Sequence, residues 1–186
     1  VFSKVHLECK NKIENSTIDI TLYRVKSFRV LVLGPYKIPT GYYLVKSSYT
    51  LLDLFNKVNN EFGAQEDLSL SLRNVIIESG NLERKYDLFE YKISGDSHNN
   101  PFLYPGDIIK LDYVKNNIFI SGAVKVPGLY EYKEGETLSH LVSVCGGYKN
   151  NADLSKIEIT RYIDDLNKEI IYVDKNDINK FILKPY

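Results

Sequence analysis

The chain has 186 residues, with 24 Lys and Arg against 24 Asp and Glu, 44% hydrophobic residues and 26% charged ones. That length suits one ordinary domain or two small ones, and the composition is that of a folded globular protein. The balanced charge supplies no electrostatic reason to expect nucleic acid or an anionic membrane as partner. No apolar run approaches the roughly 18 residues of a membrane-crossing helix. The chain begins at Val1 in polar text and contains no methionine, which reads as a fragment or a processed product. Two cysteines, Cys9 and Cys145, are too few for a disulfide framework.

In chain order, Val5, Leu7 and Cys9 alternate as in a strand, and Ile18–Tyr23 alternates more clearly. Phe28–Leu33 is a run of β-formers ending at Gly34. The segment Pro35–Gly41, with Pro39 near its end, must turn, and Tyr42–Lys46 returns as the second strand of a hairpin. Thr50 stands where an N-cap belongs. Leu51, Leu54, Phe55 and Val58 then share one helix face, and Asn59, Asn60 and Gly63 supply a stop. Leu68, Leu70 and Leu72 alternate, as do Val75 and Ile77. Ser79-Gly80-Asn81 is a turn, Tyr86–Tyr91 reads as a short strand, and Ser94–Asn100 as a polar loop. Pro105-Gly106 fits a type II turn before the strand Ile108–Leu111.

The next stretch is cleaner. Ile118–Ser121 is a strand, Gly122–Gly128 turns with Pro127-Gly128, and Leu129–Tyr132 returns. Thr137 is an N-cap. Leu138, Leu141, Val142 and Cys145 repeat the helix face, which makes Cys145 a small buried hydrophobe, and Gly146-Gly147 stops the helix. Ile157 and Ile159 alternate, Asp164–Asn167 turns, and Ile170–Val173 is a strand. Lys180–Tyr186 resembles the start of a second Phe-Leu-Tyr-Pro-Gly-Asp segment, cut short.

These stretches are two copies of one pattern. Thr50, Leu51, Leu54, Phe55 and Val58 match Thr137, Leu138, Leu141, Val142 and Cys145 at a spacing of 87; Gly41 matches Gly128 and Tyr43 matches Tyr130. Gly34 with Gly122 and Pro39 with Pro127 need one residue more. A period of about 80 to 90 residues is too long for a solenoid and implies tandem small α+β domains, each a sheet with one main helix.

No catalytic constellation stands out. His6, His98 and His140 lack metal-ligand spacing, and His140 falls off the apolar helix face, toward solvent. Asp164-Asp165 sits in a turn and reads as solvated. The glycines at 34, 41, 106, 122, 128, 146 and 147 are turn and stop residues, as Pro39, Pro105 and Pro127 are turn residues and Thr50 and Thr137 caps. Neither a cofactor, a metal nor an enzymatic activity is expected. Fifteen tyrosines without a tryptophan leave the hairpin tyrosines Tyr42, Tyr43, Tyr130 and Tyr132 as candidates for ligand contact, weighed against plain strand propensity.

The pattern Ile-Ser-Gly-Ala-Val-Lys-Val-Pro-Gly-Leu-Tyr130, with Gly-Glu-Thr-Leu138 and Cys-Gly-Gly-Tyr148, resembles the soluble-ligand-binding β-grasp (SLBB) domain of bacterial polysaccharide export proteins of the outer-membrane auxiliary type. Leu103–Leu111 resembles its closing segment. The resemblance implies a ubiquitin-like fold. It divides the chain into 1–27, the tail of a preceding unit, 28–114, a first β-grasp domain, and 115–186, a second one truncated at its C-terminal end. It further implies a non-enzymatic periplasmic or outer-membrane-associated module of the cell envelope that self-associates into rings, contacts polysaccharide, and meets a membrane only through segments outside this chain. The alternatives are a small-molecule or glycan-binding module, and an accessory domain of a larger redox enzyme.

Overall fold

The computed structural model describes residues 24–62, 69–155, 157–164 and 166–185, with no side-chain description for Phe62. The expectations for Val5–Cys9, His6, Cys9, Ile18–Tyr23, Gly63, Leu68, Asp165 and Tyr186 lie outside these residues.

The first half follows its β-branched runs. Strands β1 (Ser27–Leu33) and β2 (Gly41–Lys46) form an antiparallel hairpin with Val30 opposite Tyr43 and Phe28 opposite Val45. Alternation sends Val30, Val32, Tyr43 and Val45 to one face, where all four are buried. The hairpin turn is tight at Gly34: a Cβ there would lie 2.7 Å from the Ile38 side chain, which folds back over it. Helix α1 (Leu51–Phe62) covers the same sheet face with Leu51, Leu54, Phe55 and Val58. Thr50 caps it reciprocally with Asp53: the Asp53 N–H donates to Thr50 Oγ1 at 3.4 Å, and the Thr50 N–H donates to the Asp53 carboxylate at 2.8 Å. The helix runs through Asn59 and Asn60, so those residues do not stop it.

Strands β3 (Val75–Ser79) and β4 (Leu82–Tyr86) form a second hairpin around Gly80-Asn81. Leu70 makes only a single bridge, to Tyr113, where alternation suggested a strand. The expected strand at Tyr86–Tyr91 is corrected. β4 ends at Tyr86, and α2 (Leu88–Ser94) begins one residue after Asp87. Asp87 caps that helix through the Glu90 N–H, Leu88 is fully buried beneath it, and Gly95 ends it in the left-handed conformation. A short 3₁₀ turn follows at Ser97–Asn99. Gly106, at φ 89°, takes the second corner of the Pro105-Gly106 turn, closed by the Asp107 N–H donating to Tyr104 O.

Strand β5 (Ile108–Lys110) then enters the middle of the sheet, parallel to β1 and antiparallel to β3, giving the order β2-β1-β5-β3-β4. The sheet is mixed and the fold α+β, with a β-grasp-like arrangement of helix on sheet. The second half is built from two separate two-stranded sheets and one helix. Strands β6 (Asn117–Ile120) and β7 (Gly128–Glu131) pair around the Gly122–Gly128 turn. Helix α3 (Leu138–Val144) follows, capped by Thr137 through the His140 N–H and ended at Gly146-Gly147. Strands β8 (Ile157–Tyr162) and β9 (Lys168–Val173) form a separate hairpin. Leu138, Leu141 and Val142 centre a second core with Val173 and Leu183, and Cys145 is fully buried.

Candidate functional site

The hairpin tyrosines are largely consumed by structure. Tyr43 is buried and donates its hydroxyl to Pro39 O at 3.3 Å; Tyr130 donates to Val126 O at 2.7 Å. Donors and acceptors are both 87 residues apart, so one hydroxyl-to-carbonyl staple closes both hairpins. Burial, with the Glu61 carboxylate nearby, pushes the Tyr43 phenol up to about 12. Burial, with the Cys145 sulfur nearby, raises that of Tyr130. Tyr132 donates to Leu183 O at 3.1 Å. Of the four, Tyr42 alone offers a mostly exposed ring, at 72%.

A backbone bracket repeats in the same way. The first free N–H of α1, at Leu51, donates to Pro101 O, and the Leu103 N–H donates back to Tyr49 O. In the second half the Leu138 N–H donates to Phe181 O and the Leu183 N–H to Glu136 O. The next donor is satisfied by the Asn100 side chain at Leu52 and by Ile178 O at Ser139. In each half a later segment therefore satisfies the first two free donors of the helix, and the Thr cap takes the third.

The densest chemistry lies where the two cores meet. Arg73, in the loop before β3, is 2% exposed. Its guanidinium donates to Glu136 at 2.7 and 3.0 Å, to Glu131 O at 2.9 Å and to Asp87 at 3.3 Å, and lies 5.4 Å from the centre of the Phe89 ring. Lys133 reaches Asp87 at 2.8 Å. The Glu131 carboxylate accepts from the Ser71 hydroxyl and the Leu72 N–H. His140 sets Nδ1 2.6 Å from Glu136 and Nε2 3.0 Å from Glu90, bridging α3 to α2. That corrects the expectation for His140: it leaves the apolar face of its helix but lands half-buried between two carboxylates.

Burial opposes the charged form of Arg73, and Glu136 and Asp87 overcome it, so the guanidinium holds its proton more tightly than usual. At Asp87 burial acts to raise the carboxyl, but Lys133, the Glu90 N–H and Arg73 together bring it below its ordinary value. At Glu131 burial wins over Ser71, Leu72 and Arg73, and the carboxyl is raised. Each charge in this joint faces an opposite charge or a hydrogen-bond partner. Such a closed network orients and locks the segments it joins. Among the described residues no three His, Cys, Asp or Glu side chains are grouped to hold a metal.

Two depressions open nearby. One of about 270 Å³ runs over Lys133–Thr137 and His140, on the solvent side of the joint. The other, about 680 Å³, lies between β4 and the 3₁₀ turn, lined by Arg84, Lys85, Tyr86, Ser97, His98, Asn99 and Pro101. No carboxylate lines the larger one. In the sequence its residues fall partly in the polar loop Ser94–Asn100 and partly, at Tyr86, in an expected strand. The charged joint has no sequence signal: Asp87 and Glu131 fall within expected strands, Glu136 precedes the Thr137 cap, and no pattern singles out Arg73.

The family model of the SLBB domain matches residues 117–174. The match begins with β6 and ends just after β9, so it covers the second hairpin staple, α3 and the β8–β9 hairpin.

Proposed function

We propose that the chain is two tandem β-grasp units, 28–114 and 115–186, forming a non-enzymatic scaffold module of a cell-envelope protein that serves polysaccharide export. The observation that carries this reading is the SLBB match on 117–174, joined to the repetition of its hairpin staple and helix bracket in the preceding residues. A ligand-binding β-grasp module is what the match implies; the tandem arrangement, the periplasmic or outer-membrane-associated setting and ring-like self-association are the proposal. The joint supports a scaffold because it fixes the units to one another with directional bonds, as a load-transmitting assembly requires. Analytical ultracentrifugation of the full-length protein tests it: a concentration-dependent, closed oligomer is expected, and a strict monomer at high concentration overturns the scaffold role.

A second reading is favoured by one observation. The 680 Å³ depression combines Arg84, Lys85 and His98 with a tyrosine, a hydroxyl and an amide, which suits a saccharide carrying acid groups better than a neutral one. Titration with uronic-acid and neutral oligosaccharides, followed by amide shifts, separates the readings. Shifts at Arg84–Tyr86 and Ser97–Asn99 with the acidic sugar alone support binding there, and no change at millimolar sugar ends it.

A further inference from the structure

We propose that His140 is a proton-held latch between α2 and α3: the contact closes only when the His140–Glu90 pair binds one proton more than a neutral imidazole and a carboxylate carry. The chain places the two residues alike. Glu90 is the third residue after the cap Asp87, and its N–H donates to the Asp87 carboxylate at 2.9 Å. His140 is the third residue after the cap Thr137, and its N–H donates to Thr137 Oγ1 at 3.2 Å. Each cap pins its residue in the first turn of a helix. The two side chains then meet between the helices, with His140 Nε2 3.0 Å from the Glu90 carboxylate.

The proton count follows from the other ring nitrogen. Nδ1 lies 2.6 Å from Glu136 Oε1, so each nitrogen of the ring faces a carboxylate oxygen. A neutral imidazole has one N–H and one lone pair. Donation from Nδ1 alone sets the Nε2 lone pair against an oxygen of Glu90; donation from Nε2 alone sets the Nδ1 lone pair against Glu136. Both contacts are met by an imidazolium that donates twice, or by a neutral ring whose Nε2 accepts from a protonated Glu90. Either arrangement holds the same extra proton. Glu136 also accepts two bonds from Arg73, at 2.7 and 3.0 Å, and its carboxylate is shut away from solvent.

The charged groups around the ring come from three segments. Ahead of α3 stand Glu136 and, along the same depression, Lys133 and Glu134. From α2 comes Glu90, with Asp87 behind it at the cap. From the loop before β3 comes Arg73, which binds Glu136 and Asp87. Its guanidinium holds its proton tightly, so these bonds persist across about pH 5 to 8, where imidazoles exchange theirs. Loss of the extra proton therefore releases α2 from α3 at His140 and leaves the Arg73 bonds as a pivot. The closed contact binds the proton and the open one gives it up, so closure is favoured at the acid end and lost as pH rises. One coupled proton changes the ratio of closed to open by up to about tenfold per pH unit. The His140 side chain is 38% exposed and that of Glu90 27%, so the proton passes directly to water.

The latch concerns the joint alone and stands whether or not the protein oligomerises. The test is long-range proton–nitrogen NMR of the imidazole rings together with amide exchange, on the 186-residue protein, from about pH 5.5 to 7.5. After correction for the intrinsic effect of pH, opening at Leu88–Ser94 and Leu138–Val144 is expected to rise about tenfold or more as the pair gives up its proton, with β1 and β2 unchanged. Glu90→Gln offers an amide N–H to an unprotonated Nε2, so it keeps the contact closed at the upper pH and flattens the profile. His140→Gln flattens it as well, and His98→Gln, outside the joint, leaves it as in wild type. The proposal is overturned if the pair carries no extra proton at the lower pH, or if opening is the same at both ends of the range. It is equally overturned if Glu90→Gln keeps the wild-type dependence, which assigns the effect to another group.

Discussion

Arg73 and Glu136, 63 residues apart in the chain, meet through paired hydrogen bonds of 2.7 and 3.0 Å with both side chains shut away from solvent. Removing one partner of such a pair strands the other as a buried charge, which costs far more than the pair is worth relative to an apolar replacement. Arg73→Met is therefore expected to lower stability by about 3–5 kcal/mol. Glu136→Gln alone leaves Arg73 with Asp87 and costs less. In urea denaturation the double variant should fall well short of the sum of the singles, and additive values would sink the coupling.

Asp87 and Glu131 respond to pH with opposite signs. Asp87 has its folded value depressed, so its contribution is complete above the ordinary carboxylate range and is lost as pH falls through the depressed value. Glu131 has its folded value raised, so its ionisation weakens the fold as pH climbs from the ordinary value through the raised one. Denaturation midpoints measured from pH 3 to 7 should show Asp87→Asn flattening the acid limb. Glu131→Gln should remove a decline on the higher limb. The same slopes in wild type and variants would exclude this assignment.

The paired staples allow a graded comparison. Tyr43→Phe and Tyr130→Phe each delete one hydroxyl-to-carbonyl bond, worth about 0.5–1.5 kcal/mol. The shorter bond, 2.7 Å at Tyr130 against 3.3 Å at Tyr43, predicts the larger loss of thermal midpoint at Tyr130. A larger loss at Tyr43 would reverse that ranking.

Legibility followed the range of the interaction. The α1 and α3 faces, the caps Thr50 and Thr137, the hairpins and the burial of Cys145 rest on residues within a few positions of one another, and spacing reveals them. Tyr86–Tyr91 misled because Phe89 and Tyr91 are strand-formers, while the deciding features were Asp87 three residues before Glu90 and Gly95 beyond. Leu70 and Leu72 alternate like a strand but flank Ser71, whose hydroxyl bonds Glu131 across the joint. His140 was placed correctly relative to its own helix; no local pattern announces Glu90, 50 residues away. The joint is invisible to periodicity because its members come from five separate segments.

Gly34 tests the first hairpin. Its Cβ would stand 2.7 Å from Ile38, so Gly34→Ala is expected to cost about 1–3 kcal/mol by overpacking. Ile38→Ala vacates the space at its own cavity cost, and the two changes together should cost less than their sum. Calorimetric midpoints of the three variants decide it, and strict additivity would rule out the steric cause.

The helix brackets bear on the order of synthesis. Leu51 must wait for Pro101, and β1 for Asp107 and Ile108, before their hydrogen bonds exist. A ribosome delivering this polypeptide thus exposes β1, β2 and α1 for the time needed to add some fifty more residues, and loop closure of that length slows folding. The five-stranded sheet then completes in one late step, as Pro101–Leu111 clears the exit tunnel. Only afterwards can Arg73 and Asp87 receive Glu136. The order of emergence makes the earlier core a template on which the later one assembles.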